Sequence, residues 1–210
     1  IDAPQSVPMT LSPVSTMYTL SDLLWADIWH RFPDLRFSLS EGDIGWIPYL
    51  LQRADHVQRR HHGWTAHDFP AGMDLPSDVF RKHVLCCFID DPVGVGMLDQ
   101  LNLDNVMWES DFPHSDSSWP QAPESLAGML ADLDTDTVER ITHRNAVEHF
   151  GFDPFSIRPR ESCTAAALRA EAADVDTVTH VGRLADESDR DAFREISTRA
   201  LRGAAGKDKR

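Results

Sequence analysis

Apolar positions along this chain follow two periods that alternate. Over residues 20–30, Leu23, Leu24, Ile28 and Trp29 fall at helical spacing, with Ser21 as the expected N-cap. Pro33 ends that segment, and residues 35–39 (LRFSL) read as a short strand. Ile47, Leu50, Leu51, Ala54 and Val57 then share one face of a helix predicted over 47–60. Residues 61–76 read as a polar loop, followed by a short helical turn over 77–82. Residues 84–89 (VLCCFI) form a continuous apolar run bounded by Asp90, Asp91 and Pro92, as expected of a parallel strand buried on both faces. A helix over 95–101, a strand over 105–108 and helices over 124–133 and 136–149 complete the pattern, the last ending before Gly151. Strand and helix thus alternate three times, which predicts an α/β fold on a parallel sheet.

The two ends break the pattern. Residues 1–20, rich in Pro, Ser and Thr, have no clear period and read as a loop. Beyond Pro154 the composition turns to Ala, Arg, Asp and Glu, with helices expected over 163–173 and 187–201 and a disordered tail over 203–210. The division expected is therefore 1–158 as the α/β portion and 159–210 as a helical extension with a flexible tail. No internal repeat is visible.

Charge narrows the partners. Lys and Arg total 20 against 34 Asp and Glu, leaving no basic face for a phosphate backbone, so nucleic acid is excluded. No apolar run reaches the roughly 18 residues that a membrane span needs, and no basic segment followed by an apolar one suggests a secretory signal. Cys86 and Cys87 are neighbours in an apolar run, and with Cys163 they make an odd count without metal-type spacing. Buried, reduced thiols and a cytoplasmic location are expected. Opening at Ile1 rather than Met, the chain is expected to be a fragment or a processed product.

In parallel α/β folds the functional side chains gather after the carboxyl ends of strands. That rule selects Ser40-Glu41-Gly42, Asp90-Asp91-Pro92 and the segment Glu109-Ser110-Asp111-Phe112-Pro113-His114. The last is richest, with two carboxylates, hydroxyls at Ser110 and Ser115, an imidazole, and Asp116 close behind. By residue type alone these are equally the material of helix caps and solvated loops. Asp90 and Asp91 before Pro92 read as a plain helix start, and Glu41 as a carboxylate capping the loop through the backbone of residues 42–45.

Longer segments carry a resemblance. FPDLRFSLSEGDIGWIPYLLQRADHV, FIDDPVG, NVMWESDFPHSDSSWP and ITHRNAVEHFGF are together similar to the amidohydrolase-related family, over roughly residues 20–169. That family comprises aminocarboxymuconate semialdehyde decarboxylase and related metal-dependent hydrolases and decarboxylases. The resemblance implies a TIM-type (β/α)8 barrel of which this chain is the C-terminal part, strands six to eight. It implies a small-molecule substrate, carboxylate or cyclic, and one divalent cation, zinc, at the mouth. Family ligands are usually a His-x-His pair after the first strand, a His after the fifth and an Asp after the eighth. Asp111 matches that Asp and is the expected ligand and proton acceptor, since a carboxylate beside a bound cation can do both.

The chain departs from the family in ways that matter. It contains no His-x-His; His61 and His62 are adjacent. Glu41 stands where many relatives have His, and Asp43 where Gly is expected. Glu41 and His114 join Asp111 as candidate catalytic residues, His114 either orienting substrate or standing at the rim. His61, His62 and His67 read as solvated loop residues, His143 and His149 as structural, Trp46 and Trp108 as packing, and Trp119 as packing or pocket lining. Three readings follow: a metal-dependent enzyme, a non-catalytic truncated fragment, or a half-barrel needing a partner chain. Open sheet edges and apolar strand faces would make such a part marginally stable or homo-oligomeric.

Overall fold

The opening stretch, expected as a loop, is helical in the protein's structure, a computed structural model that describes Pro4 and residues 6–175. Helix α1 spans Ser6–Thr10 and α2 spans Ser12–Leu24, with Pro13 in the first turn, where a missing N–H is tolerated. The hydroxyls that argued for a loop are satisfied within the helices. Thr10 donates to the Ser6 carbonyl, Thr19 to Ser15 and Ser21 to Met17. Ser21 is thus a helix-interior residue and not an N-cap. Burial decides the outcome, because Leu20 and Leu24 are fully enclosed. The expected 20–30 helix breaks in two, and its second piece is α3, Ile28–Arg31, anchored by buried Trp29.

Strand β1, Phe37–Leu39, is followed by α4, Ile47–Thr65, which outruns its expected end at residue 60. Nothing in residues 61–65 stops a helix, and the turn closes at Ala66 in the left-handed conformation (φ 47°). His61 and His62 therefore lie on α4 and not in a loop. Helix α5 (Pro76–His83) leads directly into β2 (Val84–Phe88). The helix expected over 95–101 is replaced by α6 (Pro92–Val95) and a 3-10 turn at Leu98–Gln100. After β3 (Val106–Trp108) come α7 (Ala122–Met129), α8 (Thr135–Glu139), a π turn at Arg140–Arg144 and α9 (Asn145–Phe150). Gly151 caps α9 with φ 64°, as expected of a C-terminal glycine. Helix α10 (Ala165–Glu171) occupies part of the helix expected over 163–173. The expectations for residues 187–201 and 203–210 lie outside the described residues.

The three strands form one parallel sheet in the order β1-β2-β3, with Phe37 opposite Val84, Cys86 opposite Val106 and Phe88 opposite Trp108. All five residues of β2 are buried. Val84, Cys86 and Phe88 join the main core with Trp29, Ile44, Phe80 and Ile141. Leu85, Cys87 and Met107 form a second cluster with Ala146. Those three are at most 6% exposed, so the second face of β2 and β3 is not open as a partial barrel suggested. At β1, by contrast, Leu35 and Phe37 are 40% and 39% exposed. Cys86 and Cys87 are free thiols; burial pushes both up, Cys87 to about 11, so neither is a reactive thiolate. Two asparagines bind carbonyls around the sheet: Asn105 donates to Arg81 and Val84, and Asn145 to Leu103 and Val106.

His83 yields a test of this core. It is 1% exposed and stacks on Trp29 at 4.4 Å. Its Nδ1 lies 2.7 Å from the Leu35 carbonyl, which assigns the N–H to that nitrogen, and its Nε2 is buried without a partner. Burial, opposed by the Leu35 bond and aided by the charges of Lys82 and Arg36, holds its pKa below the ordinary 6.5. Above pH 6.5 both folded and unfolded forms are neutral. Below it the unfolded chain takes the proton first, so stability falls until the folded pKa is passed. The urea midpoint of the native chain should therefore drop between about pH 7 and about pH 5.5 by more than that of His83→Gln, which cannot titrate there. Equal drops would remove His83 from the account.

Candidate metal centre

Because the three strands run in parallel, the segments after β1, β2 and β3 emerge at one end of the sheet. Three non-glycine residues there have left-handed backbones: Glu41 (φ 55°), Asp43 (φ 52°) and Asp111 (φ 52°). Aspartate tolerates this region better than most residues, a tolerance Glu does not share, and three such backbones in one mouth are unusual.

Two of them turn their side chains toward His114. A tight turn brings the His114 amide to the Asp111 carbonyl at 2.8 Å, and His114 Nδ1 donates to Asp111 Oδ1 at 2.7 Å. Glu41 Oε1 lies 3.6 Å from the same nitrogen, across a separation of more than seventy residues. One ligating atom from each of Glu41, Asp111 and His114 falls within 4.8 Å of the others. No other such trio of His, Cys, Asp or Glu occurs among the described residues. The Asp111 side chain is 6% exposed, against 54% for Glu41 and 66% for His114, so the group opens to one side. The Asp111 hydrogen bond, then the Asp111 and Glu41 charges, raise the pKa of His114.

The cleft beside this trio measures about 460 Å³, within the size range of small-molecule sites. Met9, Thr10, Ser12 and Pro13, from the segment expected to be a loop, form one wall. Glu41, Asp43, Asp90, Asp111 and Asp116 form the acidic remainder. Burial, then the charges of Asp91, Asp116 and Asp90, raises the Asp43 pKa. Two carboxylates and an imidazole that converge in an acidic cleft offer the oxygen and nitrogen donors that a divalent cation takes. The residues present fit such an ion.

Two carboxylates have roles that the sequence did not assign. Asp91 caps α6 as a helix-start residue should, accepting the Gly94 N–H at Oδ1. Its Oδ2 also accepts the N–H groups of Ile44 and Gly45, so Asp91, not Glu41, holds the backbone of the loop after β1. A Cβ on Gly94 would sit 2.4 Å from both Asp91 Oδ2 and Ile44 Cγ1, which explains the glycine. Glu109 accepts the Glu41 amide, and burial raises its pKa. Its position directly after β3 was the available signal.

The remaining candidates lie elsewhere. His67 packs on Trp25 and Phe69, His61 on Trp64, and His62 meets Gln58. His149 bonds the Asp104 carbonyl and Arg36, and His143 meets Phe155 edge-on. Trp46 and Trp108 are partly buried against the core, donating to the Gly42 and Ile89 carbonyls. Trp119 packs on exposed Phe112 and is not among the residues lining the cleft.

Comparison with known proteins adds the lineage. A family model described as amidohydrolase matches residues 11–152. The structure is similar to 5-carboxyvanillate decarboxylase LigW from Sphingomonas paucimobilis, with TM-score 0.56 and 20% identity over 67% of this chain and 41% of that one. It is also similar to an amidohydrolase from Mycobacterium avium subsp. paratuberculosis, with TM-score 0.53 and 17% identity over 67% of this chain and 35% of that one. This chain thus spans well under half the length of either. At these identities both likenesses speak to the fold, a TIM-barrel-like α/β architecture. No helix among the described residues is long and apolar enough to cross a membrane. With the family model covering most of the chain, including the strand ends that carry Glu41 and Asp111, the chain belongs to the amidohydrolase family.

Proposed function

We propose that Glu41, Asp111 and His114 hold one divalent cation, zinc, in a metal-dependent hydrolase or decarboxylase acting on a small carboxylate or cyclic substrate. The chain would supply strands six to eight of a (β/α)8 barrel. The observation that carries this reading is the convergence of three donor groups within 4.8 Å beside a cleft of small-molecule size. Membership of a generally metal-dependent family supports it. The structural neighbour that decarboxylates 5-carboxyvanillate favours a substrate bearing a carboxylate. The buried free thiols of Cys86 and Cys87 favour the cytoplasm.

Bound at the trio, a divalent cation would polarise the substrate's oxygen and lower the pKa of water. Asp111 then accepts the proton that the attacking water releases, or returns one to carbon in a decarboxylation. Before a cation binds, His114 Nδ1–H holds the Asp111 carboxylate in place, with Glu41 Oε1 3.6 Å from the same nitrogen.

A second reading is favoured by the absence of His-x-His and by the exposure of two members of the trio. In it the chain is inactive alone, and a partner chain or further strands supply the histidines. Zinc titration and hydrolase and decarboxylase assays of the 210-residue chain separate the two. We expect weak zinc binding that Asp111→Asn removes, and no metal-dependent turnover until histidine ligands are supplied. Weak binding unchanged by Asp111→Asn would sink the trio. Tight stoichiometric zinc, with activity lost on chelation, would show that no further ligands are needed.

A further inference from the structure

Glu109 contributes no atom to the trio, yet it holds one member of it. Strand β2 lies between β1 and β3, so the segments that follow β1 and β3 are not neighbours in the sheet. Glu109, the first residue after β3, spans that gap. Its Oε1 accepts the Glu41 amide N–H at 2.5 Å, while its own amide donates to the Phe88 carbonyl at 3.0 Å. One residue thereby joins the carboxyl ends of all three strands. The bond falls on Glu41, whose left-handed backbone (φ 55°) is one that L side chains rarely adopt. Two residues further along, Asp111 carries the carboxylate that Glu41 must face.

We infer that Glu109 is a positioning residue for the cation site: it holds the Glu41 peptide so that the Glu41 carboxylate stays within reach of Asp111 and His114. This inference rests on the reading that the trio holds a cation. A purely structural role fits less well, because the same loop is already held at Ile44 and Gly45 by Asp91. The chain should therefore fold without the Glu109 bond, with the effect of its loss local to Glu41. Groups that orient metal ligands from behind typically change metal affinity 10–100-fold when removed.

The test uses the isotopically labelled 210-residue chain with Glu109→Ala and Glu109→Gln, the latter keeping an oxygen able to accept the same N–H. Amide exchange at Glu41 is read without added cation, and Mn²⁺ affinity is read from paramagnetic broadening around Asp111. Glu109→Ala should speed exchange at Glu41 roughly tenfold, leave Ile44 and Gly45 unchanged, and weaken Mn²⁺ binding about 10–100-fold. Glu109→Gln should stay near the native values in both. Unchanged exchange at Glu41 in Glu109→Ala overturns the inference whatever the cation does. So does faster exchange with unaltered affinity, or a loss in Glu109→Gln as large as in Glu109→Ala. Failure of the cation reading itself would be seen in the native chain, as Mn²⁺ that leaves Asp111 unbroadened, and would take the positioning role with it.

Discussion

In the active enzyme, Asp111→Asn lowers turnover about 10²–10⁴-fold, the range associated with loss of a general acid–base group. The substitution keeps the shape of the side chain but removes its charge and its ability to take a proton. The fold should not suffer, because asparagine tolerates the left-handed backbone that position 111 requires at φ 52°. Asp111→Ala forms a useful contrast. Alanine loses the same chemistry but also fits that backbone poorly, at a cost of roughly 1 kcal/mol, so it should lower the melting temperature where Asn does not. Turnover by Asp111→Asn within a few-fold of the native enzyme would remove Asp111 from the chemistry.

The largest expected loss of stability lies one strand away. Asp91→Ala removes the N-cap of α6 and the acceptor for two further N–H groups, those of Ile44 and Gly45. Loss of a cap costs about 1 kcal/mol, and stranding buried donors about 1–3 kcal/mol more. Asp91 itself is 8% exposed and Ile44 is fully buried, so water cannot easily replace the carboxylate. A total near 2–4 kcal/mol should appear as a lower urea midpoint with an unchanged slope. Asp91→Asn keeps one oxygen and should lie between the two. Because residues 44 and 45 directly follow the Glu41 turn, Asp91→Ala should also weaken cation binding, whereas Glu109→Ala should weaken it without the loss of stability. A change below about 0.5 kcal/mol on Asp91→Ala would mean that the loop has other support.

Much of the sheet was legible because its signal is local. VLCCFI reads as a buried parallel strand from six adjacent residues, and the acidic segment after β3 stands out by its position at a strand end. Where the reading failed, local chemistry pointed the wrong way. Serine and threonine in residues 1–20 suggested a loop, yet their hydroxyls bond carbonyls one turn earlier while Leu20 and Leu24 bury themselves. The histidines at 61 and 62 suggested a polar loop, and α4 simply continues through them.

By itself the sequence determined the alternating α/β pattern, the buried strand VLCCFI, the lineage carried by the SDFPH segment, and Asp111 and His114 as candidates after the last strand. Only the tertiary structure decided which groups Asp111 meets. The approach of Glu41, the grip of Asp91 on Ile44 and Gly45, and the reach of Glu109 across β2 join residues about 45 to 70 positions apart. Periodicity records which face of an element is buried, because burial depends on the nearest few residues. It holds no record of which distant backbone N–H a carboxylate will accept, since that follows from strand order and from where each strand ends.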